Sequence, residues 1–164
     1  KWAEMLVEQN SDSEITLFGV SMGGATVMMA SGEETLPKQV VNIVEDCGYS
    51  SVWDELKYQA KAMYNLPAFP ILYEVSAVSK VRAGFSYGQA SCVKQLKNNT
   101  RPILFIHGSE DKFVPTSMVY KNYRATNSEK DLYIAKGAAH AKSFESDPKT
   151  YIEKISAFLQ KNEK

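Results

Sequence analysis

The stretch Ile15-Thr16-Leu17-Phe18-Gly19-Val20-Ser21-Met22-Gly23-Gly24 decides how this 164-residue chain folds. Its first six residues are mostly apolar, as in a strand that is buried on both faces of a parallel sheet. The small residues 23–30 that follow predict a helix ended near Gly32. A serine at such a junction lies on a sharp turn, exposed, with a helix N-terminus behind it, and its flanking glycines avoid a Cβ against neighbouring backbone. The pattern therefore predicts a nucleophile at Ser21.

Apolar runs alternate with amphipathic stretches along the rest of the chain. Further strands are predicted at 40–44, 103–107 and 132–135, and further helices at 2–9, from Pro115 to about Arg124, and from Pro148 onward. Continuous apolar strands that alternate with helices are typical of βαβ units with right-handed crossovers. The sequence therefore predicts an α/β fold, a parallel sheet with flanking helices on both faces.

Residues 51–98 interrupt this alternation and form a predicted helical cap. They predict helices at 53–64, 69–82 and 90–97, separated by prolines and glycines. The block is rich in aromatic residues, and Trp53, Tyr58 and Phe85 are candidates for an apolar wall that binds an acyl or aromatic substrate group. Packing of the cap helices on the core explains such rings as well, so both interpretations stay open.

The composition excludes several classes of protein. Lys and Arg number 19 and so do Asp and Glu, which gives a formal net charge of zero, and 44% of the residues are hydrophobic. A neutral chain lacks the basic surface of a nucleic-acid binder, and no apolar stretch reaches the roughly 18 residues of a membrane span. We expect a single domain that binds no nucleic acid. A cytoplasmic location is favoured, while an upstream membrane anchor stays open.

Cysteine usage indicates neither a disulfide scaffold nor a metal site. The two cysteines, Cys47 and Cys92, lie among apolar neighbours and are expected to be buried, reduced thiols. No Cys/His spacing suggests zinc. We therefore expect no metal and no organic cofactor.

A serine hydroxyl needs a base, and the chain contains two histidines. His140 lies in the loop 137–141 after the fourth predicted strand, at the carboxyl edge of the sheet, where open α/β folds bind ligands. His107 ends the third strand and is expected to be structural, with its ring bonded to loop backbone. The base is therefore assigned to His140.

A catalytic histidine needs a carboxylate that orients it. Asp111 follows the third strand, on the same sheet edge as the serine and the base. The alternatives are its neighbour Glu110 and the pair Glu45 and Asp46 after the second strand. A helix cap is an alternative role for Asp111 itself.

The order serine, aspartate, histidine, each after a separate strand, is the chain order of α/β-hydrolases. The motifs at 19–24 (Gly-Val-Ser-Met-Gly-Gly), 107–115 (His-Gly-Ser-Glu-Asp-x-x-Val-Pro) and 137–140 (Gly-Ala-Ala-His) resemble the nucleophile elbow, acid loop and histidine loop of bacterial α/β-hydrolases. Residues 44–51 and the helices after them resemble a subgroup of serine esterase- and peptidase-like hydrolases. The resemblance covers essentially the whole chain.

The triad and the resemblance together imply a serine hydrolase that cleaves an ester, thioester or amide through an acyl-enzyme. Ser21 is the expected nucleophile, His140 the base and Asp111 the residue that orients it. Carboxylesterase is the favoured activity, acting on a small acyl ester, and a prolyl-oligopeptidase-like peptidase acting on short peptides or an acyltransferase are alternatives. A non-catalytic interaction module with this fold is the alternative of another class.

The four predicted strands resemble strands five to eight of the complete α/β-hydrolase sheet. We therefore expect residues 1–164 to be the C-terminal part of one α/β-hydrolase domain. The backbone N–H of Met22 is the expected first donor of the oxyanion hole, and the second donor belongs to an upstream loop. The first strand then has an open edge. Its expected partner is the N-terminal half of the same domain or a second copy of this chain.

This expectation predicts an impaired isolated chain. One oxyanion donor contributes about a hundred- to a thousandfold to the rate of a comparable enzyme. Alone, the chain should hydrolyse a test ester slower by about that factor than with the upstream half present, or not at all. Equal rates in the two preparations, each corrected for a Ser21→Ala control, would contradict the expectation.

Overall fold

The computed structural model describes residues 1–162 and contains a four-stranded, fully parallel sheet in the order β1-β2-β3-β4. The strands are β1 (Ile15–Val20), β2 (Val40–Asp46), β3 (Ile103–Gly108) and β4 (Lys130–Ala135). The helices are α1 (Trp2–Gln9), α2 (Met22–Ser31), α3 (Val52–Tyr64), α4 (Ile71–Ala83), α5 (Cys92–Leu96), α6 (Ser117–Ala125), α7 (Ser143–Ser146) and α8 (Pro148–Asn162).

Strand β3 is buried along its whole length because helices cover both faces of the sheet. Ile103 and Phe105 pack into a core with α2, α5 and α6, whereas Leu104 and Ile106 pack against α8 on the opposite face. Successive side chains of a strand point to opposite faces, so one continuous apolar run supplies both cores. The predicted α/β architecture is confirmed.

The element boundaries differ from the prediction where polar residues occupy regular structure. Strand β4 begins at Lys130, before the apolar run at 132, because an edge strand tolerates polar side chains. Strand β2 continues to Asp46, past its apolar residues. Helix α7 was not predicted, since a helix of four residues is too short for a periodic pattern. Within residues 1–162, no helix is both long enough and apolar enough to cross a bilayer.

The predicted cap consists of two kinds of helix. Helix α5 belongs to the core, since Cys92 and Leu96 are fully buried in the cluster formed with α2. Helix α3 lies over the loop that follows β3, where the Tyr58 hydroxyl donates to the carbonyl of Lys112. Helix α4 packs on α3 through an edge-to-face contact between Tyr73 and a ring of α3. Helix α3 therefore covers the acid loop, and α4 packs on the outside of α3.

Strand β1 lies at one end of the sheet and pairs with β2 alone among the described residues. Its side chains alternate in burial, and Phe18 is 51% exposed although it lies in a parallel strand. Parallel strands are normally covered on both faces. The partner expected at this edge stays a prediction.

The turn from β1 to α2 has a constrained backbone. Ser21 adopts φ 56° and ψ −117°, outside the regions that L-residues favour. A Cβ at Gly19 would overlap the Gly23 carbonyl, whereas a Cβ at Gly23 would meet nothing within 4 Å. The expectation of crowding at both flanking glycines is therefore correct for Gly19 and wrong for Gly23. Crowding occurs instead at Gly24, whose Cβ would lie 3.1 Å from the Asp46 carbonyl.

The two flanking glycines should respond differently to alanine. Gly19→Ala should lower the free energy of unfolding by about 1–3 kcal/mol, because backbone atoms must move to accommodate the methyl group. Gly23→Ala, inside helix α2 with open space, should raise it by about 0.5–1 kcal/mol. Urea unfolding of the two variants measures both effects, and equal destabilisation would contradict the structure of the turn.

Candidate active site

The structure brings Ser21, His140 and Asp111 together at the carboxyl edge of the sheet. Ser21 precedes α2, Asp111 follows β3, and His140 follows β4. The Ser21 Oγ lies 2.8 Å from the Nε2 of His140, and the Nδ1 of His140 lies 2.8 Å from the Oδ2 of Asp111. Both distances are those of hydrogen bonds. The geometry is that of a nucleophile, a base and an orienting carboxylate in series.

Asp111 uses each carboxylate oxygen for a different purpose. Its Oδ1 accepts from the backbone N–H groups of Phe113 and Val114, both at 2.9 Å, so the carboxylate closes its own loop. Its Oδ2 faces His140. Burial favours the neutral form, but hydrogen bonds from His107, His140 and Val114 outweigh burial and lower the pKa of Asp111 below its usual value. Asp111 is therefore an anion at neutral pH, as an orienting carboxylate must be.

The second histidine supports the same loop. His107 is fully buried, and its Nε2 lies 2.8 Å from the Val114 carbonyl. The same nitrogen is 3.3 Å from the Oδ2 of Asp111. This is the structural role expected from the sequence, and it connects His107 to Val114 and Asp111 of the same loop.

The alternative acids either face solvent or accept hydrogen bonds from other groups. Glu110 is exposed. The fully buried Glu45 accepts from the N–H of Gly48 at 2.9 Å. Asp46 accepts from the hydroxyls of Ser143 and Tyr151 at 3.0 and 3.1 Å. Burial raises the pKa of both buried carboxyls, and hydrogen bonds oppose this only in part.

The first turn of α2 begins directly after Ser21. The first backbone bond back to Ser21 comes from Ala25, so the preceding N–H groups, that of Met22 included, have no partner within the helix. An N–H at this position is available to an oxyanion that forms beside the Ser21 side chain. Met22 as an oxyanion donor stays a prediction that this position favours.

The three aromatic residues proposed as a substrate wall make contacts within the cap or with the acid loop. Trp53 packs edge-on against Tyr73 at 4.9 Å between ring centroids. The Tyr58 hydroxyl bonds to the acid loop, and Phe85 is half exposed. Their role in substrate binding stays a prediction.

Two residues beside the triad were not identified from the sequence. The ring of Phe113 lies 4.9 Å from the His140 ring between centroids, and 51% of the residue is exposed. Phe113 lies at an unspecified position of the acid-loop motif, two residues after Asp111, and this closeness to the expected acid was the one signal for it. Cys47 is fully buried, with its sulfur within 4.8 Å of an Asp111 oxygen and a His140 nitrogen. No local pattern indicates this contact, because it joins three separate loops.

Comparison with known proteins agrees with the fold. The sequence model of the prolyl oligopeptidase family matches residues 1–164. The uncharacterized protein YqkD of Bacillus subtilis (strain 168) is 30% identical over 145 residues, which are 88% of this chain and 47% of that protein. The chain thus spans about half the length of this curated relative.

Solved structures with this fold include peptidases and esterases. An acylaminoacyl peptidase of Pyrococcus horikoshii is similar at a TM-score of 0.69 and 20% identity, over 96% of this chain and 25% of that one. An esterase of Pyrococcus furiosus is similar at 0.67 and 18%, over 97% and 58%. An α/β-hydrolase from a lagoon-sediment metagenome (Mar Chica, Morocco) is similar at 0.65 and 20%, over 98% and 67%. These similarities establish the α/β-hydrolase fold.

Glu45 beneath the elbow makes stability depend on pH. Its pKa in the folded chain is raised above the unfolded value of about 4.3. The stability that its neutral form contributes is therefore complete below about pH 4 and is lost as pH rises towards the folded pKa. Glu45→Gln stays neutral, and its amide oxygen can still accept from Gly48. The free energy of unfolding of the variant, relative to that of the wild type, should therefore increase from about pH 5 to about pH 8.

Urea unfolding of the wild type and Glu45→Gln at both pH values measures this gain. Glu153→Gln, an exposed substitution on α8, is the matched control. A stability difference between Glu45→Gln and the wild type that does not change with pH would contradict a neutral, buried Glu45.

Proposed function

The chain belongs to the prolyl oligopeptidase family and has the α/β-hydrolase fold, and from that premise we propose that it carries the catalytic triad of a serine hydrolase. The observation that carries the proposal is the continuous hydrogen-bonded series from Ser21 through His140 to Asp111, with 2.8 Å at each step. Such a series activates a hydroxyl that is a poor nucleophile by itself.

The first half of the reaction forms an acyl-enzyme. The anionic Asp111 accepts the Nδ1–H of His140, which leaves the lone pair of Nε2 directed at the Ser21 hydroxyl. As the Ser21 Oγ bonds to the acyl carbon, its proton moves to Nε2 and the carbonyl becomes an oxyanion. The N–H of Met22 stabilises this oxyanion. The proton then passes from Nε2 to the leaving group as the bond to the acyl carbon breaks.

Water completes the cycle with the same groups. His140 takes a proton from water, whose oxygen attacks the acyl carbon, and then returns that proton to the Ser21 Oγ as the ester bond breaks. Throughout, Asp111 stabilises the imidazolium without taking its proton. Residues 107–115 keep Asp111 in place through the bonds of its Oδ1.

The oxyanion hole needs a second donor. We propose that a segment outside residues 1–164 provides it, packed beside the open edge of β1. The exposure of Phe18 on this strand supports that placement. Under this proposal the chain alone holds the triad but stabilises the oxyanion incompletely.

The proposed substrate class is a small acyl ester, with a carboxylesterase as the favoured activity. The apolar, half-exposed ring of Phe113 beside the base suits an acyl group of low polarity. A prolyl-oligopeptidase-like peptidase is the second candidate, favoured by the family match over the whole chain. Rates on p-nitrophenyl acyl esters and on peptide p-nitroanilides distinguish the two.

A fluorophosphonate probe tests the proposed nucleophile. The protein should gain the mass of one adduct, and Ser21→Ala should gain none, because the probe reacts only with an activated serine. Asp111→Asn should slow labelling by about 10⁴-fold, the loss seen when the orienting carboxylate of a triad is neutralised.

Ser156→Ala removes an exposed hydroxyl on α8 and should label like the wild type. Labelling that survives Ser21→Ala would overturn the assignment of the nucleophile. If the chain alone is not labelled but is labelled once an upstream half is restored, the result would support a missing second oxyanion donor. No labelling in either preparation would favour the non-catalytic module.

A further inference from the structure

A cysteine lies directly beside the triad, and the proposed reaction does not use it. Cys47 follows β2 and is fully buried. Its backbone adopts φ 50° in the left-handed region, and its N–H donates to the Ile106 carbonyl at 2.9 Å. The Cys47 sulfur, a carboxylate oxygen of Asp111 and a ring nitrogen of His140 all lie within 4.8 Å of one another.

We propose that Cys47, Asp111 and His140 form a binding site for a thiophilic divalent cation, Zn²⁺ or Cd²⁺, which inhibits the hydrolase. The inhibition rests on the proposed function, whereas the binding does not. Each residue offers one ligand atom, from the loops after β2, β3 and β4 respectively. The site is therefore invisible to a search for Cys/His spacing along the chain.

The three donors fit such an ion in type, charge and separation. Thiolate, imidazole and carboxylate are the usual ligands of Zn²⁺ in proteins, and the thiolate disfavours Mg²⁺ and Ca²⁺. The thiolate and the carboxylate balance the charge of a divalent ion. Ligands at about 2.0–2.3 Å from zinc lie roughly 3.3–3.8 Å apart in a tetrahedron. The donors all lie within 4.8 Å of one another, so a pair at that limit would move closer by about 1.0–1.5 Å. The Nδ1 of His140 and the Oδ2 of Asp111, which are 2.8 Å apart, would move apart slightly if both bind the ion.

Binding would inhibit the reaction because the ion would occupy His140, the proposed general base. Neutral imidazole has one lone pair, and His140 needs that lone pair to accept the proton of Ser21. An ion that binds either ring nitrogen takes the lone pair, because the proton then occupies the other nitrogen. The thiol proton of Cys47 is released to water as the metal–sulfur bond forms.

Access favours an ion over larger reagents. The Asp111 side chain is fully buried, whereas 22% of the His140 side chain is exposed. An ion can therefore approach along the imidazole, while a bulky thiol reagent cannot reach the sulfur.

The second cysteine is a matched control. Cys92 is fully buried too, but it lies in the apolar core with Met28 and Leu96, and its sulfur donates to the Ala25 carbonyl at 3.5 Å. The two histidines of the chain lie in and beside the triad. Cys92→Ser therefore removes a buried thiol without removing a ligand of the proposed site.

Titration with Cd²⁺ alone tests binding without any activity measurement. The wild type and Cys92→Ser should develop the ultraviolet charge-transfer band of a cadmium thiolate, with one ion per chain. Cys47→Ser should develop no band, and Cys47→Ala is the second variant if the serine variant does not fold. A band retained without Cys47, or no band in the wild type, overturns the proposed site.

The rate of fluorophosphonate labelling tests inhibition. Zn²⁺ should slow labelling of the wild type, Mg²⁺ and Ca²⁺ at the same concentration should not, and a chelator should restore the rate. Cys47→Ser should need at least about tenfold more Zn²⁺ for half-inhibition of its own rate. Equal sensitivity of Cys47→Ser and Cys92→Ser overturns the inhibition. If labelling without metal occurs neither in the chain alone nor with an upstream half restored, the proposed function fails, while the cadmium band still decides whether the site exists.

Discussion

The hydrogen bonds to the buried carboxylate of Asp111 are the interactions on which the site depends. One oxygen closes the acid loop onto the amides of Phe113 and Val114, and the other faces His140. Burial by itself would favour a neutral carboxyl, but these bonds and His107 keep the group ionised. The same contacts therefore fix the loop, the charge and the orientation of the base. A helix cap and an orienting acid were alternative roles for Asp111. In the structure, its Oδ1 accepts from amides of its own loop, and its Oδ2 contacts His140.

The second constraint is the parallel sheet, which aligns the carboxyl ends of its strands. The nucleophile elbow follows β1, and the N–H of Ser21 bonds to the carbonyl of Asp46 at the end of β2 at 2.7 Å. This contact and the close approach of Gly19 to Gly23 keep Ser21 in an unfavourable backbone conformation. Strain of this kind costs of order 1–3 kcal/mol and persists only where the surrounding structure enforces it. The buried Glu45 under the turn is part of that surrounding structure.

Most of the fold could be predicted because its strands and helices follow from local patterns of apolar and small residues. Apolar runs predicted all four strands, and a strand-to-helix junction predicted the elbow at Ser21. Prediction failed where the deciding factor was local crowding or a distant neighbour. Gly23 has room for a side chain although its motif suggests otherwise. Helix α5 belongs to the core because Cys92 meets α2, although its sequence resembles that of the neighbouring cap helices.

The sequence by itself determined the α/β class, the positions of the four strands and the elbow at Ser21, since each depends on residues that are close along the chain. Only the tertiary structure decided that Asp111 faces His140 while Glu110 points to solvent. It also decided that Phe113 flanks the base and that Cys47 lies behind it. These contacts join loops that are tens of residues apart, and their geometry follows from the twist and register of the sheet. A one-dimensional pattern does not contain that information.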